Sequence, residues 1–433
     1  MIALLVVPDY ASHWYPLSAV AGVLRARGNR VVVATGRALA PLVAAGGHEH
    51  VELTLGSGSN RGVRPFGADS EIDAFFAATR EGMIATLRYQ AERRRHDLLW
   101  EPRAVAERLR RIVARLAPDT VLVDQLAFSA TAALRGLRVP FFSFLPGHPC
   151  QLPARGQAFG YPELRPPAFA ASAAALHSLR ELCGEVSSEF TAAYNASTRA
   201  LDPTAEPLAD AFAAGGTLGT LVNYPSQIGT HAGRLPHASF LGSCIRLEDR
   251  DTRFAGPARR HTRPRAYVSL GTFLSARTDV LRRIVQALKT LTWDAVIATG
   301  ATEPRTLGPV PSTWVVAEHL PQVAALEACD IVVSHGGNNT VTEALTAGLP
   351  VLTAPFSTDQ FAGAEDLRRA GLGEVLDPST AGTDAIAAGL TSLLDGDAAG
   401  RAAALGAELR RAPGARLGAS IVEAAAASPA VAA

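Results

Sequence analysis

SHGGNNTVTEALTAGLPVLTAPFSTDQ, Ser334 to Gln360, decides the fold. It opens where the apolar run Asp330–Val333 ends, places His335, Gly336, Gly337, Asn338 and Asn339 in a bare turn, and resumes helix-forming residues from Val341 to Ala347. A further apolar run, Pro350–Pro355, then leads to Asp359 and Gln360. Strand, glycine turn and helix in that order put the turn beyond the carboxyl end of a strand, where ligands bind in an open α/β sheet. A helix N-terminus there offers unpaired N–H groups and the positive end of a dipole, and glycines let an anion come close to the backbone. The turn reads as a phosphate cradle. His335, Asn339 and Thr340 are the side-chain donors, Glu343 accepts from ribose hydroxyls, and the carboxylate of Asp359 beside the carboxamide of Gln360 suits the hydroxyls of a sugar. By itself the turn is equally well a glycine turn capped by Asn.

The same alternation extends in both directions. Ile2–Val7, Val31–Thr35, Thr120–Asp124 and Pro140–Phe144 are short apolar runs, and helical periodicity separates several of them, as over Tyr15–Arg27 and Arg103–Leu116. Ala266–Gly271, Ala295–Gly300, Trp314–His319, Asp330–His335 and Pro350–Pro355 repeat the pattern. The fold class is α/β, with two Rossmann-like, doubly wound parallel sheets facing one another across a cleft. A charged, Pro-containing passage without periodicity, RLEDRDTRFAGPARRHTRP, divides the chain into a first domain (1–245), a linker (246–264) and a second domain (265–415). The alanine-rich tail, 416–433, is helical in character and either packs back on the first domain or frays.

Whole-chain numbers agree with two domains: 433 residues are more than one core usually serves. Forty-one Lys plus Arg against 40 Asp plus Glu leave a formal charge of +1, which gives no footprint for nucleic acid or an anionic membrane. The 4 cysteines are scattered without CxxC or Cys/His spacing, so neither a disulfide framework nor a zinc site is expected. Ile2–Val7 is too short for a signal-peptide core, and no run is long enough to span a membrane. These features point to a cytoplasmic protein, monomer or homodimer, with small-molecule partners.

The stretch from His319 to Gln360, HLPQVAALEACDIVVSHGGNNTVTEALTAGLPVLTAPFSTDQ, resembles the donor-binding signature of family 1 nucleotide-sugar-dependent glycosyltransferases, which have the GT-B fold. The resemblance implies that His335, Gly336, Gly337, Asn338, Asn339 and Thr340 surround the diphosphate. It further implies that Glu343 holds the ribose, and that Asp359 and Gln360 hold the sugar. His319 and Leu320 stand where the family often stacks an aromatic on the base, and His319 is a departure from that pattern. Gly271 and Thr272 match the loop that approaches the diphosphate from the opposite side. No cofactor is then required beyond a UDP- or dTDP-linked sugar. By resemblance to bacterial members, the acceptor is a lipophilic natural product such as a polyketide, a macrolide or an aromatic aglycone.

SHWYP, Ser12 to Pro16, follows the first strand, and His13 with Pro16 is similar to the family's N-terminal motif. Asp124 ends the strand Thr120–Val123 and is the expected partner. A carboxylate on one imidazole nitrogen would orient the ring while the other nitrogen deprotonates an acceptor hydroxyl, giving inversion at the sugar carbon. Trp14, Phe66, Phe76 and Phe144 are candidates for the acceptor site, within or beside the Gly-, Pro- and aromatic-containing regions 56–100 and 146–169. Core packing is the competing reading for Phe75, Phe76, Phe141 and Phe142. The run Arg93–His96 reads as a solvated helix face. GSGSNRG fails the dinucleotide fingerprint at Arg61. Asp249–Asp251 and Asp395–Asp397 are DxD patterns away from any central strand end, so no metal is assigned. The alternatives are a nucleotide-sugar epimerase of the same fold, or a non-catalytic auxiliary protein that should lack the His13–Asp124 pair.

Overall fold

The computed structural model describes residues 1–56, 70–229, 231–235, 237–245, 254, 263–271, 276–357 and 359–427. Phe66, Thr272, Asp249, Asp251 and most of the expected linker lie outside them. The first apolar runs form β1 (Ile2–Val6), β2 (Arg30–Thr35), β3 (Glu49–Glu52), β4 (Thr120–Asp124), β5 (Phe142–Leu145), β6 (Gly219–Val222) and β7 (Ala238–Phe240). They pair in the order β3-β2-β1-β4-β5-β6-β7, every pair parallel. The second set is β8 (Arg265–Ser269), β9 (Asp294–Ala298), β10 (Val315–Ala317), β11 (Ile331–Ser334), β12 (Val351–Thr353) and β13 (Gly373–Val375). Their order is β10-β9-β8-β11-β12-β13, again all parallel.

Crossover helices cover both faces of a parallel sheet, so its strands are apolar on both sides. One side of the first sheet buries Leu5, Val33, Leu122 and Phe144, and the other buries Leu4, Val6, Val32 and Val123. In each sheet the strand order reverses at one place, between β1 and β4 in the first and between β8 and β11 in the second. Diverging connections leave a crevice at such a reversal. The helix that follows β1 carries His13 in its first turn, and the loops that follow β4, β8 and β11 carry the residues after Asp124, Gly271 and His335 respectively.

Two segments cross between the halves. The helix Ser70–Glu81, in a region read from sequence as loop, sends Phe75 and Phe76 into the core of the second sheet beside Ala266, Val268 and Ile284. Phe76 is 1% exposed, so its expected place in an acceptor site is corrected: it is a docking residue. Burying each ring contributes roughly 1.5–3 kcal/mol. In the other direction, the helix Gly414–Ala426 returns to the first domain, where Ala415, Ala419 and Val422 join the core around Val20 and Leu24 of the helix Ala11–Ala26. Glu423 clamps that helix's end through Arg27 at 2.6 Å and Asn29 at 2.7 Å. Among the described residues no helix is long and apolar enough to cross a membrane.

Candidate active site

His13 sits in the first turn of the helix Ala11–Ala26, and Pro16 lies inside that helix, where its missing N–H leaves the Ser12 carbonyl without its usual helical donor. Its Nδ1 is 2.9 Å from Asp124 Oδ2, and Asp124 is fully buried at the end of β4, its Oδ1 accepting from the Leu126 N–H at 2.9 Å. A carboxylate only accepts, so Nδ1 carries the hydrogen and Nε2 is left to take a proton. Burial works to lower the imidazole pKa. The Asp124 charge, its hydrogen bond and the Asp359 charge outweigh burial and raise it above 6.5. The paired ring, 18% exposed, lines a cleft of about 470 Å³ between the two sheets.

The far wall of this cleft is the turn after β11. The helix begins at Asn338, three residues before the expected start, with Gly337 as its N-cap and no side chain capping it. The N–H groups of its first turn are therefore available to a ligand. Gly337, Asn338, Asn339, Thr340 and Glu343 all line the cleft, with His319, Leu320, Asp359 and Gln360. Gly336 does not: it lies buried beneath the turn at φ 83°, its N–H donating to Ser334 Oγ at 3.2 Å.

The His335 ring is packed between Gly271 and Gly337. A Cβ at Gly271 would stand 2.6 Å from it, and one at Gly337 would stand 2.4 Å away. Burial lowers its pKa to about 4, against the opposing effects of Asp359 and a hydrogen bond to the Ser269 backbone, so the ring is neutral at ordinary pH and is no cationic clamp. Gly337 has φ −62° and ψ 134°, extended backbone that any residue adopts, so a side chain there is excluded by His335 alone. Gly337→Ala is expected to push the imidazole or the helix tip aside and weaken nucleoside diphosphate binding about tenfold or more, read by titration calorimetry.

The asparagines are used differently from expectation. Asn339 Nδ2 donates to Ser12 O at 2.7 Å, and Asn338 Nδ2 donates to Pro146 O at 2.6 Å and Asn223 O at 2.8 Å. Both amides tie the helix tip to the first domain beside His13. Glu343 Oε2 accepts from Gln322 Nε2 at 2.6 Å, and Gln322 in turn accepts from the Tyr267 hydroxyl at 2.9 Å. Tyr267 was missed from the sequence. A tyrosine inside an otherwise apolar strand was the available signal, since a buried hydroxyl needs a partner. The Gln360 carboxamide is occupied within its own turn, accepting from the Phe356 and Ser357 N–H groups and donating to Ser357 Oγ. Asp359 is the carboxylate that meets the first domain, Oδ2 accepting from His148 N at 3.0 Å and Gln151 Nε2 at 3.1 Å.

Two further acceptor-site expectations are corrected. Trp14 is 1% exposed and packs edge-on to His48, and Phe144 is fully buried in the core of the first sheet. One residue after His13 the helix has turned about 100° away from the cleft, and both faces of a central parallel strand are covered by helices.

A second polar cluster crosses the domain seam. Asp366 Oδ2, on the helix Gln360–Arg369, accepts from His231 Nε2 at 2.7 Å, His148 Nε2 at 3.0 Å and the Tyr224 hydroxyl at 3.3 Å, all buried. His148, His231 and Asp366 have metal-ligating chemistry. Yet the Cys150 N–H donates to His148 Nδ1, which puts that ring's proton on Nε2, the nitrogen a metal would need. The cluster reads as a hydrogen-bonded clasp.

The geometry can now be set beside known proteins. Residues 282–415 match the erythromycin biosynthesis protein CIII-like C-terminal domain. Demethyllactenocin mycarosyltransferase of Streptomyces fradiae is 29% identical over 190 residues, 43% of this chain and 39% of that protein. The matched stretches span between 28% and 48% of the length of the curated relatives. A crystal structure of the kitacinnamycin glycosyltransferase superposes with a TM-score of 0.68 at 23% identity over 98% of both chains. The glycosyltransferase VinC in complex with dTDP superposes with a TM-score of 0.65 at 18% identity, covering 98% of this chain and 99% of that one.

The fold is GT-B. The strand reversals of both sheets open on the cleft that His13 and the Gly337 helix tip share.

Proposed function

We propose that the protein is an inverting glycosyltransferase that moves a hexose or deoxyhexose from a dTDP- or UDP-linked sugar to a hydroxyl of a lipophilic natural-product acceptor. The observation that carries this is the pairing of His13 with Asp124 at 2.9 Å on the cleft wall opposite an uncapped helix N-terminus. The relatives point the same way: one is a mycarosyltransferase, and VinC was crystallised with dTDP.

His13 Nε2 takes the acceptor proton, and Asp124 holds the ring and balances the charge it gains. The acceptor oxygen attacks the anomeric carbon on the face opposite the departing diphosphate, through a state in which the sugar ring is cationic. The growing negative charge on the leaving group meets the first-turn N–H groups of the helix Asn338–Ala347 and the Thr340 hydroxyl, fixed in place before the reaction begins. Gln322, bridging Tyr267 and Glu343, presents the Glu343 carboxylate to the ribose. Transfer from an α-linked dTDP- or UDP-hexose to an aromatic or macrocyclic acceptor, with the β-linked product read by NMR, is the test. A product of retained configuration removes the single-displacement mechanism. Release of an altered sugar nucleotide without acceptor would identify the epimerase instead.

A further inference from the structure

Next to the donor cleft lies a second cavity of about 140 Å³, and Gln151 and Asp359 stand in the walls of both. Its lining is mostly apolar, with Leu126, Leu152, Phe159 and Tyr161. An apolar cavity of about 150 Å³ accepts a benzene-sized group, so this one has room for one ring.

Two polar atoms of its lining residues, neither of them open to solvent, have no hydrogen-bond partner among the described residues. Arg94 enters from the helix Met83–Asp97 with its guanidinium carbon 4.7 Å above the Phe159 ring, and its Nη1 is shut off from solvent with no hydrogen-bond partner among the described residues. Gln151 gives its Nε2 hydrogen to Asp359, while its Oε1 is buried without a donor among the described residues. Turning the amide over would set Oε1 against the Asp359 carboxylate, which fixes the orientation. Buried polar atoms are nearly always paired, and an unpaired charge is the costliest exception. The nearby carboxylates are committed elsewhere: Asp359 accepts from His148 and Gln151, and Glu163 pairs with Arg180 at 2.9 Å. Burial presses the Arg94 pKa below 12.5 in spite of Cys183, Asp359 and Cys150, as it does for a cation short of a counter-ion.

We propose that the acceptor carries a carboxylate on a ring-sized apolar body, which seats in this cavity with the carboxylate on Arg94 and a hydrogen-bond donor on Gln151 Oε1. This rests on the transferase reading, because the rest of the acceptor must extend past the hydrogen-bonded Gln151–Asp359 pair, which stands in both walls, to bring its hydroxyl to His13. Arg94 is then a specificity residue. Its planar fork suits a carboxylate, and the Phe159 ring beneath holds that fork in place.

The test uses 6-hydroxy-2-naphthoate and its methyl ester, titrated into the full chain at pH 7. The acid is expected to bind about tenfold or more tighter than the ester, and Arg94→Met, folded by circular dichroism, is expected to bring the ratio near one. Equal affinities in the wild type, no binding of the acid, or a preference that survives in the folded variant would each overturn the proposal. The wild-type ratio needs no variant to fold. Transfer assays with both compounds separate the two readings. Preferential binding of the acid without transfer from any dTDP- or UDP-sugar removes the transferase and leaves the carboxylate pocket, whereas equal transfer to acid and ester removes the pocket alone.

Discussion

His13→Ala is expected to lower the turnover of glycosyl transfer about 10²–10⁴-fold and to leave the dissociation constant for dTDP or UDP nearly unchanged, because in the proposed mechanism the base acts in the transition state while the nucleotide sits on the other domain. The measurement is kcat under saturating substrates beside nucleotide titration of the same folded variant. Wild-type turnover with a hydroxyl acceptor would dismiss the imidazole as base. The pH profile adds a second check. A histidine base works only when neutral, and the pKa of His13 is raised above 6.5, so under the proposed mechanism kcat/KM should climb with pH along a limb centred above 6.5. Asp124→Asn removes the largest raising influence and leaves burial, which lowers the pKa. The limb should then move to lower pH while the plateau falls, a combination that a merely unfolded fraction cannot produce.

Asp366→Ala is expected to lower stability by about 3–5 kcal/mol, since it strands His148 Nε2, His231 Nε2 and the Tyr224 hydroxyl in a buried seam. The carboxylate belongs to the second domain and its three partners to the first, so the loss falls on their docking. Calorimetry should show the melting transition move down or separate into two; a variant that melts like wild type would show that the clasp contributes nothing. The pH dependence has a definite sign. Burial opposes ionisation of Asp366, but the hydrogen bonds from His148 and His231 prevail and hold its pKa below 3.8. Its contribution is therefore present above about pH 3.8 and is lost as pH falls through the lower folded value, a loss that Asp366→Asn should not show.

The two sheets and the ligand turn were legible because buried parallel strands are written as short β-branched runs, and because a glycine turn between strand and helix leaves few alternatives. β3, β6, β7 and β13 were missed: EHVE, GTLV, ASF and GEV are short edge or near-edge segments whose pairing, not their composition, makes them strands. The acceptor side was harder. Aromatic identity does not say which way a ring points, and Trp14, Phe76 and Phe144 went inward. Arg94 failed in the opposite sense. In the run Arg93–His96 a solvated face was expected, and Arg95 does pair with Glu185 and Glu189. Successive residues on a helix point about 100° apart, so one arginine of such a run can face inward. Buried Met83, Leu87 and Ala91 recur at helical spacing, and Arg94 lies three residues further on the same face. That stripe was the signal.

The Phe75–Phe76 pair and the returning Gly414–Ala426 helix bear on recombination between homologues of this fold. A hybrid spliced once between the sheets would give each half a foreign socket, one for two aromatic plugs and one for a terminal helix. What the second domain binds is therefore inherited cleanly only when the residue 70–81 plug is matched to the imported half and the last helix is matched to the resident one.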